Sequence, residues 1–265
     1  MSEEPGSIAF DRAAEYYDAT RGLSEEGARR QNEVLADELR GRGRVLEVGV
    51  GTGQVALPLH HAGVDVIGLD LARTMMDKLI EKAGGTRPFP LLQGDAVHLP
   101  FADGTFGATY LRWVLHLIPE WLAALAELVR VVTSGGVVLV LLGSAGKDTP
   151  QAEIQARFAE IAGIPFGPPG LMWASHQELD SAMASLGATP RALSAFTEVE
   201  RDGLGAFLES VKQRRYSWTW RVPDDERFAD AVAEIRHFAE ERFGPFDRLP
   251  PEEYEVAWRA YDVPA

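Results

Sequence analysis

The chain has no cysteine among its 265 residues. Disulfides, thiolate metal sites, iron–sulfur clusters and cysteine nucleophiles are therefore excluded. It also lacks any apolar run near the roughly 18 residues that a membrane helix needs, and its longest, Gly136–Leu142, reads as a central strand. Positive charge is scarce: 26 lysines and arginines face 40 acids, for a formal net charge of −14. Affinity for nucleic acid rests largely on neutralising phosphates, so this balance speaks against DNA or RNA as a partner. The basic exception is Arg214-Arg215 beside Tyr216, Trp218 and Trp220, whose plainer reading is a helix end with aromatic packing. Met1-Ser2-Glu3-Glu4-Pro5 carries neither a basic start nor an apolar segment. No secretory signal and a cytoplasmic location are expected. The histidines show no zinc-helix spacing, since His60 and His61 are adjacent and the others scattered, and no metal site is expected.

What is present is organised around Arg44-Val45-Leu46-Glu47-Val48-Gly49-Val50-Gly51-Thr52-Gly53. Val45, Leu46 and Val48 suit a strand buried on both faces. Three glycines at alternate positions then admit backbone angles that other residues avoid and let a ligand lie against the main chain. A segment with helical spacing follows, to about His61. Before the strand, residues 10–21 read as a leading helix and turn. Ser24 opens a second helix, with Val34, Leu35 and Leu39 at core spacing and Gly41 and Gly43 as stops.

The alternation continues. Val64–Asp70 reads as a strand ending on an acid, residues 72–83 as a helix, Phe89–Gln93 as a third strand and Phe106 to about Leu111 as a fourth. Pro119 suits the first turn of a helix with a buried stripe of Leu122, Leu125, Leu128 and Val129. Ser134-Gly135-Gly136 turns into a fifth strand, Val137–Leu142. This rhythm predicts an α/β fold, an open and mostly parallel sheet with helices on both faces. Ligands of such sheets sit beyond the carboxyl ends of the strands, where Glu47–Gly53, Asp70, Asp95 and Arg112 all fall.

Beyond residue 148 the rhythm changes. Residues 151–163 read as a helix, 164–170 as a proline- and glycine-rich loop, and Ser175–Leu186 as a helix with Ser175 as cap and Glu178 three residues on. An edge strand at 191–200, helices at Gly203–Arg215 and Asp224–Phe243, and a last strand at Glu253–Asp262 complete the pass. The expected organisation is a core over 1–148 led by N-terminal lid helices, an inserted helical cap at 149–174 and 203–248, and the remaining helix and strands of the core sheet at 175–202 and 249–265.

The glycine spacing discriminates between ligands. A dinucleotide motif, G-x-G-x-x-G counted from Gly49, needs glycine where Gln54 stands. The pattern present is acid-x-G-x-G-x-G, Glu47 to Gly53, and an acid at the strand end suits a ligand with a positive group and no phosphate. Asp70, at the end of the next strand, is placed to accept from both hydroxyls of a ribose or else to cap a helix. Asp95 is placed for an adenine amino group, beside apolar Ala96 and Leu71, or is a turn aspartate after Gly94. Gly143-Ser144-Ala145-Gly146-Lys147 has only a faint likeness to a phosphate loop, with Asp148 where serine or threonine belongs.

Val45–Gly53, Gly68-Leu69-Asp70-Leu71, Gly94–Phe101 and Arg130–Gly136 resemble successive motifs of the class I S-adenosylmethionine-dependent methyltransferases, nearest to the small-molecule, ubiquinone-biosynthesis type. The resemblance is specific over 40–142, looser over 10–39 and weak beyond 148. It implies a Rossmann-like sheet of seven strands with the last one antiparallel. It implies that Gly49, Gly51 and Gly53 pack on the methionine part of the cofactor, that Glu47 contacts its ammonium directly or through water, that Asp70 holds the ribose, and that Asp95 with Ala96 holds the adenine. Tyr17 and Arg21 resemble part of a lid, in which Arg21 either pairs with the cofactor carboxylate or is a surface residue. Met75 and Arg112 complete the expected cofactor set.

Leu111-Arg112-Trp113-Val114 lacks the Asn/Asp-Pro-Pro-Tyr of adenine or glutamine amino-group methylation, and no paired acids of a metal-dependent catechol type follow the fourth strand. A small-molecule acceptor with an oxygen, nitrogen or carbon nucleophile is the expectation, with S-adenosylhomocysteine as product. His116, just after the fourth strand, is the candidate base or else a packed histidine. Trp113, Trp173 and Tyr216 line an acceptor pocket or belong to the core of the cap. The alternatives are a non-catalytic S-adenosylmethionine-binding sensor or partner subunit, a nucleic-acid methyltransferase disfavoured by charge, and a nicotinamide dehydrogenase. The sequence specifies no oligomeric state.

Overall fold

Arg44–Val48 forms β1, and Val45, Leu46 and Val48 are all buried, as an apolar strand covered on both faces must be. In this computed structural model, which describes residues 6–143, 149–199, 203–246 and 253–265, β1 is an interior strand of a seven-stranded sheet. It pairs in parallel with β2 (Asp65–Asp70) on one side and β4 (Phe106–Arg112) on the other. β3 (Leu91–Gln93) extends the sheet beyond β2, and β5 (Val132–Leu141) extends it beyond β4. β9 (Arg259–Asp262) lies antiparallel between β5 and β6 (Thr189–Ala192), giving the order β3-β2-β1-β4-β5-β9-β6. The expected α/β sheet, mostly parallel with its last strand reversed, is therefore present. Met1–Pro5 and Ser144–Lys147, the signal-peptide test and the phosphate-loop likeness, lie outside the described residues.

The chain divides into two compact units. The first comprises Met1–Gly143, Pro169–Phe196 and Glu255–Ala265. Here Leu46, Val138, Val140 and Tyr261 pack with Leu125 and Leu128 of α5 (Trp121–Arg130) and Leu179 and Met183 of α7 (His176–Ser185). The opposite sheet face meets α2 (Glu25–Leu39): Arg191 of β6 donates to Glu38 at 2.9 Å and to Asp262 of β9 at 2.8 Å. Ser24 caps α2 as expected, accepting from Gly27 N–H at 2.9 Å. α1 (Tyr17–Thr20), α3 (Ala56–His61) and α4 (Arg73–Lys82) complete this unit. The second unit comprises Ser144–Pro168 and Thr197–Tyr254. In it α6 (Pro150–Ala162), α8 (Leu204–Lys212) and α9 (Asp225–Phe243) enclose Phe158, Leu208, Val211 and Ile235, with Trp218 and Phe228 edge-on to Phe158.

Several expectations are corrected. Leu122 is exposed, because the buried face of α5 is Ala124, Leu125 and Leu128, and at about 100° per residue Leu122 points well off it. Ser175 makes no capping bond: its ψ of 55° departs from the extended backbone of a cap, so the pairing with Glu178 does not form. The single strand at 191–200 is two, β6 and β7 (Phe196–Val199), and the last strand is also two, β8 (Glu253–Val256) and β9. Both break where the chain leaves the large sheet, and β7 and β8 pair in a separate two-stranded sheet. Residues 169–174 belong with the first unit instead of the expected cap. Gly170 N–H donates to His116 O at 3.0 Å, Leu171 N–H donates to Leu115 O at 3.1 Å, and Leu171 is buried.

Gly107, in β4, lies against the main chain of Arg42, and a Cβ there would stand 1.6 Å from the Arg42 carbonyl oxygen. Gly107→Ala should therefore cost about 2–3 kcal/mol in urea unfolding, as overpacking against backbone does. Gly205→Ala, exposed in α8 with only an ordinary contact nearby, should gain up to about 1 kcal/mol from helix propensity. Equal effects at the two positions would contradict this packing of β4.

Candidate functional site

The turn after β1 folds back onto the end of β2. Gly49 N–H and Val50 N–H both donate to Leu69 O, at 2.8 and 3.0 Å, and Gly53 N–H donates to Val50 O at 2.9 Å. Gly49 and Gly53 both have φ +77°, in the left-handed region. A Cβ at Gly49 would meet Val114 Cγ2 at 2.4 Å, and one at Gly53 would meet Leu79 Cγ at 2.8 Å. Gly51 N–H donates to Asp70 Oδ2 at 2.7 Å, and Ala72 N–H donates to Oδ1 at 2.8 Å. The Asp70 carboxyl is raised above its ordinary pKa by burial, against the pull of those backbone donors. Each of its oxygens has two lone pairs, so a ligand hydroxyl can still be accepted on either.

Glu47 sits at the buried end of β1, opposite Tyr110 of β4, whose hydroxyl donates to Glu47 Oε2 at 3.0 Å. It is 2% exposed, and burial pushes its carboxyl up to about 8; the Tyr110 hydroxyl and the Arg112 guanidinium pull the other way. A buried acid with so high a proton affinity suits a site that receives a cation.

Arg112 ends β4, donates to Gln54 Oε1 at 2.7 Å and lies 4.0 Å from the Trp113 ring centroid. The Asp95 carboxyl accepts at Oδ1 from Ser7 Oγ and Val97 N–H, both at 3.2 Å, beside buried Ala96. Gly94 N–H donates to Asp70 O at 3.0 Å, which sets the ends of β2 and β3 side by side, with half-buried Leu71 just beyond β2.

The N-terminal segment closes on this edge. Met75 packs with Ala14, Ala72, Phe10 and Tyr17, and its Cε would lie 3.5 Å from a Cβ at Gly51. Burial raises the Tyr17 phenol pKa, while the charges of Arg112 and Arg21 lower it. Asp18, between them in function, accepts from Thr52 Oγ1 at 2.5 Å, from Gln54 Nε2 at 2.8 Å and from Lys82 Nζ at 2.8 Å. Arg21 donates to Thr20 O at 2.8 Å, and its own carbonyl accepts from Gln54 Nε2 at 2.8 Å.

His116 and Trp173 form an aromatic pair 6.0 Å apart, and Trp113 is held at φ +58°, a strained angle for a non-glycine residue. Burial pushes the His116 imidazole down to about 4, assisted by the positive charge of Arg21. Tyr216 belongs to the second unit, stacked on Trp218 at 5.6 Å and 5.2 Å from Phe207.

The structure thus brings together Glu47, the three glycines, Asp70, Leu71, Met75, Tyr17, Arg21 and Arg112, with Asp95 and Ala96 at the neighbouring strand end. It adds Asp18, Thr52, Gln54 and Tyr110, which sequence reasoning passed over. Gln54 was visible there only as a missing glycine. The pairing of Tyr110 with Glu47 depends on strand register, which no local pattern discloses. Among the described residues no group of acids and histidines could hold a metal ion, and no helix is long and apolar enough to cross a membrane.

A protein-family profile described as Methyltransferase domain matches residues 46–140. The chain is similar to a phosphatidylethanolamine N-methyltransferase of Cereibacter sphaeroides, 36% identical over 153 residues that cover 56% of this chain and 74% of that one. It is also similar to a demethylmenaquinone methyltransferase of Renibacterium salmoninarum, 35% identical over 147 residues, 53% of this chain and 60% of the relative. The match thus spans about three-fifths of that relative's length. In fold it is similar to the YcgJ protein of Bacillus subtilis, with a TM-score of 0.60 at 17% identity, covering 91% of this chain and all of that one.

The raised pKa of Glu47 has a thermodynamic sign. Between its ordinary value of 4.5 and about 8 the folded chain holds a proton that the unfolded chain has lost. Stability from this group therefore falls as pH rises through that window, by about 1.4 kcal/mol per pH unit. Glu47→Gln keeps a partner for Tyr110 and cannot titrate. Its urea midpoint relative to the parent should therefore climb steadily from pH 5 to pH 8. A difference that does not change with pH would mean that Glu47 ionises at its ordinary value.

Proposed function

The chain belongs to the class I S-adenosylmethionine-dependent methyltransferases, and from that premise we propose that it binds this cofactor at the ends of β1, β2 and β3 and transfers its methyl group to a small-molecule oxygen, nitrogen or carbon nucleophile. The observation that carries the proposal is the glycine turn held against the Asp70 carboxylate by Gly51 N–H at 2.7 Å, with a buried acid, Glu47, one strand over.

The donor set suits the cofactor group by group. Glu47, a buried carboxyl whose ionised form burial disfavours, would meet the ammonium. Asp70 keeps acceptor capacity for the ribose hydroxyls, and Asp95 with Ala96 and Leu71 would take the adenine. Arg21 and Arg112 bring guanidinium groups, which match a planar carboxylate. When bound, S-adenosylmethionine supplies an electrophilic methyl on a sulfonium. The protein's part is then alignment and exclusion of water, which together supply much of the rate in such displacements. His116, neutral at physiological pH, would orient the acceptor nucleophile as a hydrogen-bond acceptor. With a pKa near 4 it holds a proton too weakly to be an efficient base, since base catalysis is best with a pKa near the working pH. Trp113 and Trp173 would contribute apolar surface to the acceptor.

S-adenosylhomocysteine should raise the melting temperature and NAD should not. Asp70→Ala should weaken S-adenosylhomocysteine at least tenfold by calorimetry, about 1.4 kcal/mol, as for loss of a hydrogen bond to a charged group. Unchanged affinity would remove Asp70 from the site. Incubation with S-adenosylmethionine and a panel of quinol, phenol, amine and phospholipid acceptors should release S-adenosylhomocysteine with at least one of them. Binding without release across the panel would favour a non-catalytic sensor.

A further inference from the structure

The one residue by which the turn departs from a dinucleotide motif, Gln54, uses both ends of its side-chain amide. Its Nε2 donates to Asp18 Oδ1 and to Arg21 O, both at 2.8 Å, and its Oε1 accepts from Arg112 Nη2 at 2.7 Å. Those partners come from two places far from the turn in sequence: the α1 segment with its C-cap and the end of β4. Asp18 is fixed in turn by Thr52 Oγ1 at 2.5 Å, where Thr52 is fully buried, and by Lys82 Nζ of α4 at 2.8 Å. Against a partial desolvation, these donors hold the Asp18 carboxyl below its ordinary pKa, so it is ionised at neutral pH. Gly22, with φ +145°, lies directly above: a Cβ there would come within 3.3 Å of Gln54 Oε1.

We propose that Gln54 is a positioning residue that, with Asp18, latches the segment 17–21 onto the glycine turn and so sets Arg21 and Arg112 at a fixed separation for the carboxylate of a zwitterionic ligand. The inference rests on the proposed cofactor and adds to it the residue that spaces its two cations. The geometry is specific to a primary amide. Glutamate at 54 would offer Arg112 an acceptor but face the Asp18 carboxylate with a second negative charge. Methionine would match the length and make none of the three bonds. Because Gln54 acts through the two arginines, its effect should be confined to ligands that carry the amino-acid portion.

Two ligands separate this role from a general structural one. S-adenosylhomocysteine carries the carboxylate and ammonium, whereas 5′-methylthioadenosine has the same adenosine and sulfur without them. In Gln54→Met the affinity for S-adenosylhomocysteine should fall at least tenfold, mostly through faster dissociation, while that for 5′-methylthioadenosine changes less than twofold. Gln54→Glu should show the same selective loss and serves as the second variant if the methionine protein does not fold. Equal losses for the two ligands, or no loss for S-adenosylhomocysteine, would overturn the latch while leaving the proposed cofactor in place. Failure of the unaltered protein to bind S-adenosylhomocysteine would overturn both.

Discussion

The carboxylate of Asp70, caught between Gly51 N–H at 2.7 Å and Ala72 N–H at 2.8 Å, fixes where the turn after β1 can lie. Gly49 and Val50 follow it onto Leu69 O, and Gly53 closes on Val50 O. Four N–H groups of the turn are thereby taken by protein acceptors. In a dinucleotide fold such groups, together with a helix N-terminus, are what a pyrophosphate binds. Here they are occupied, and α3 is too short, at six residues, to offer a substantial dipole. The turn is left as a steric cradle flanked by acids. Such a surface repels phosphate and suits the positively charged, phosphate-free half of a ligand.

Charge at this edge is arranged in opposition. Glu47 and Asp70 both have raised pKa values because burial disfavours their ionised forms. Arg21 and Arg112 bring the positive charges, and both lower the pKa of the Tyr17 phenol. An amino-acid group carrying one charge of each sign complements both halves. A cation arriving at Glu47 would also relieve the cost of its ionisation, so proton release and binding are linked there. The acidic total of the chain, −14, has little bearing on this balance, since surface charges are screened over about 10 Å.

The parts of this arrangement that are local in sequence were legible in it. β1, its glycines, Asp70 and Asp95 announce themselves by composition and spacing, and the order of strands and helices to residue 142 follows from apolar periodicity. The parts that depend on distant pairing were not. Tyr110 reaches Glu47 across 63 residues and Gln54 reaches Asp18 across 36. Only the register of β1 against β4, and the return of the N-terminal segment over the turn, bring them together. The misread surface and linker elements share a cause. Leu122 is apolar without lying on the buried face of α5, and the strands at 191–200 and 253–262 are cut where the chain passes from one unit to the other, a tertiary event with no local signature.

Gln54 is where the local and the distant meet. As a letter in a motif it marks only the absence of a glycine. As a side chain it satisfies Arg112, the carbonyl of Arg21 and the carboxylate of Asp18 at once. Glycine there would leave Arg112 without that acceptor and Asp18 with one donor fewer. The departure from the dinucleotide pattern is therefore tied to the covering segment: a glycine at 54 suits an open turn that a pyrophosphate approaches, and an amide at 54 suits a turn that the N-terminal segment closes.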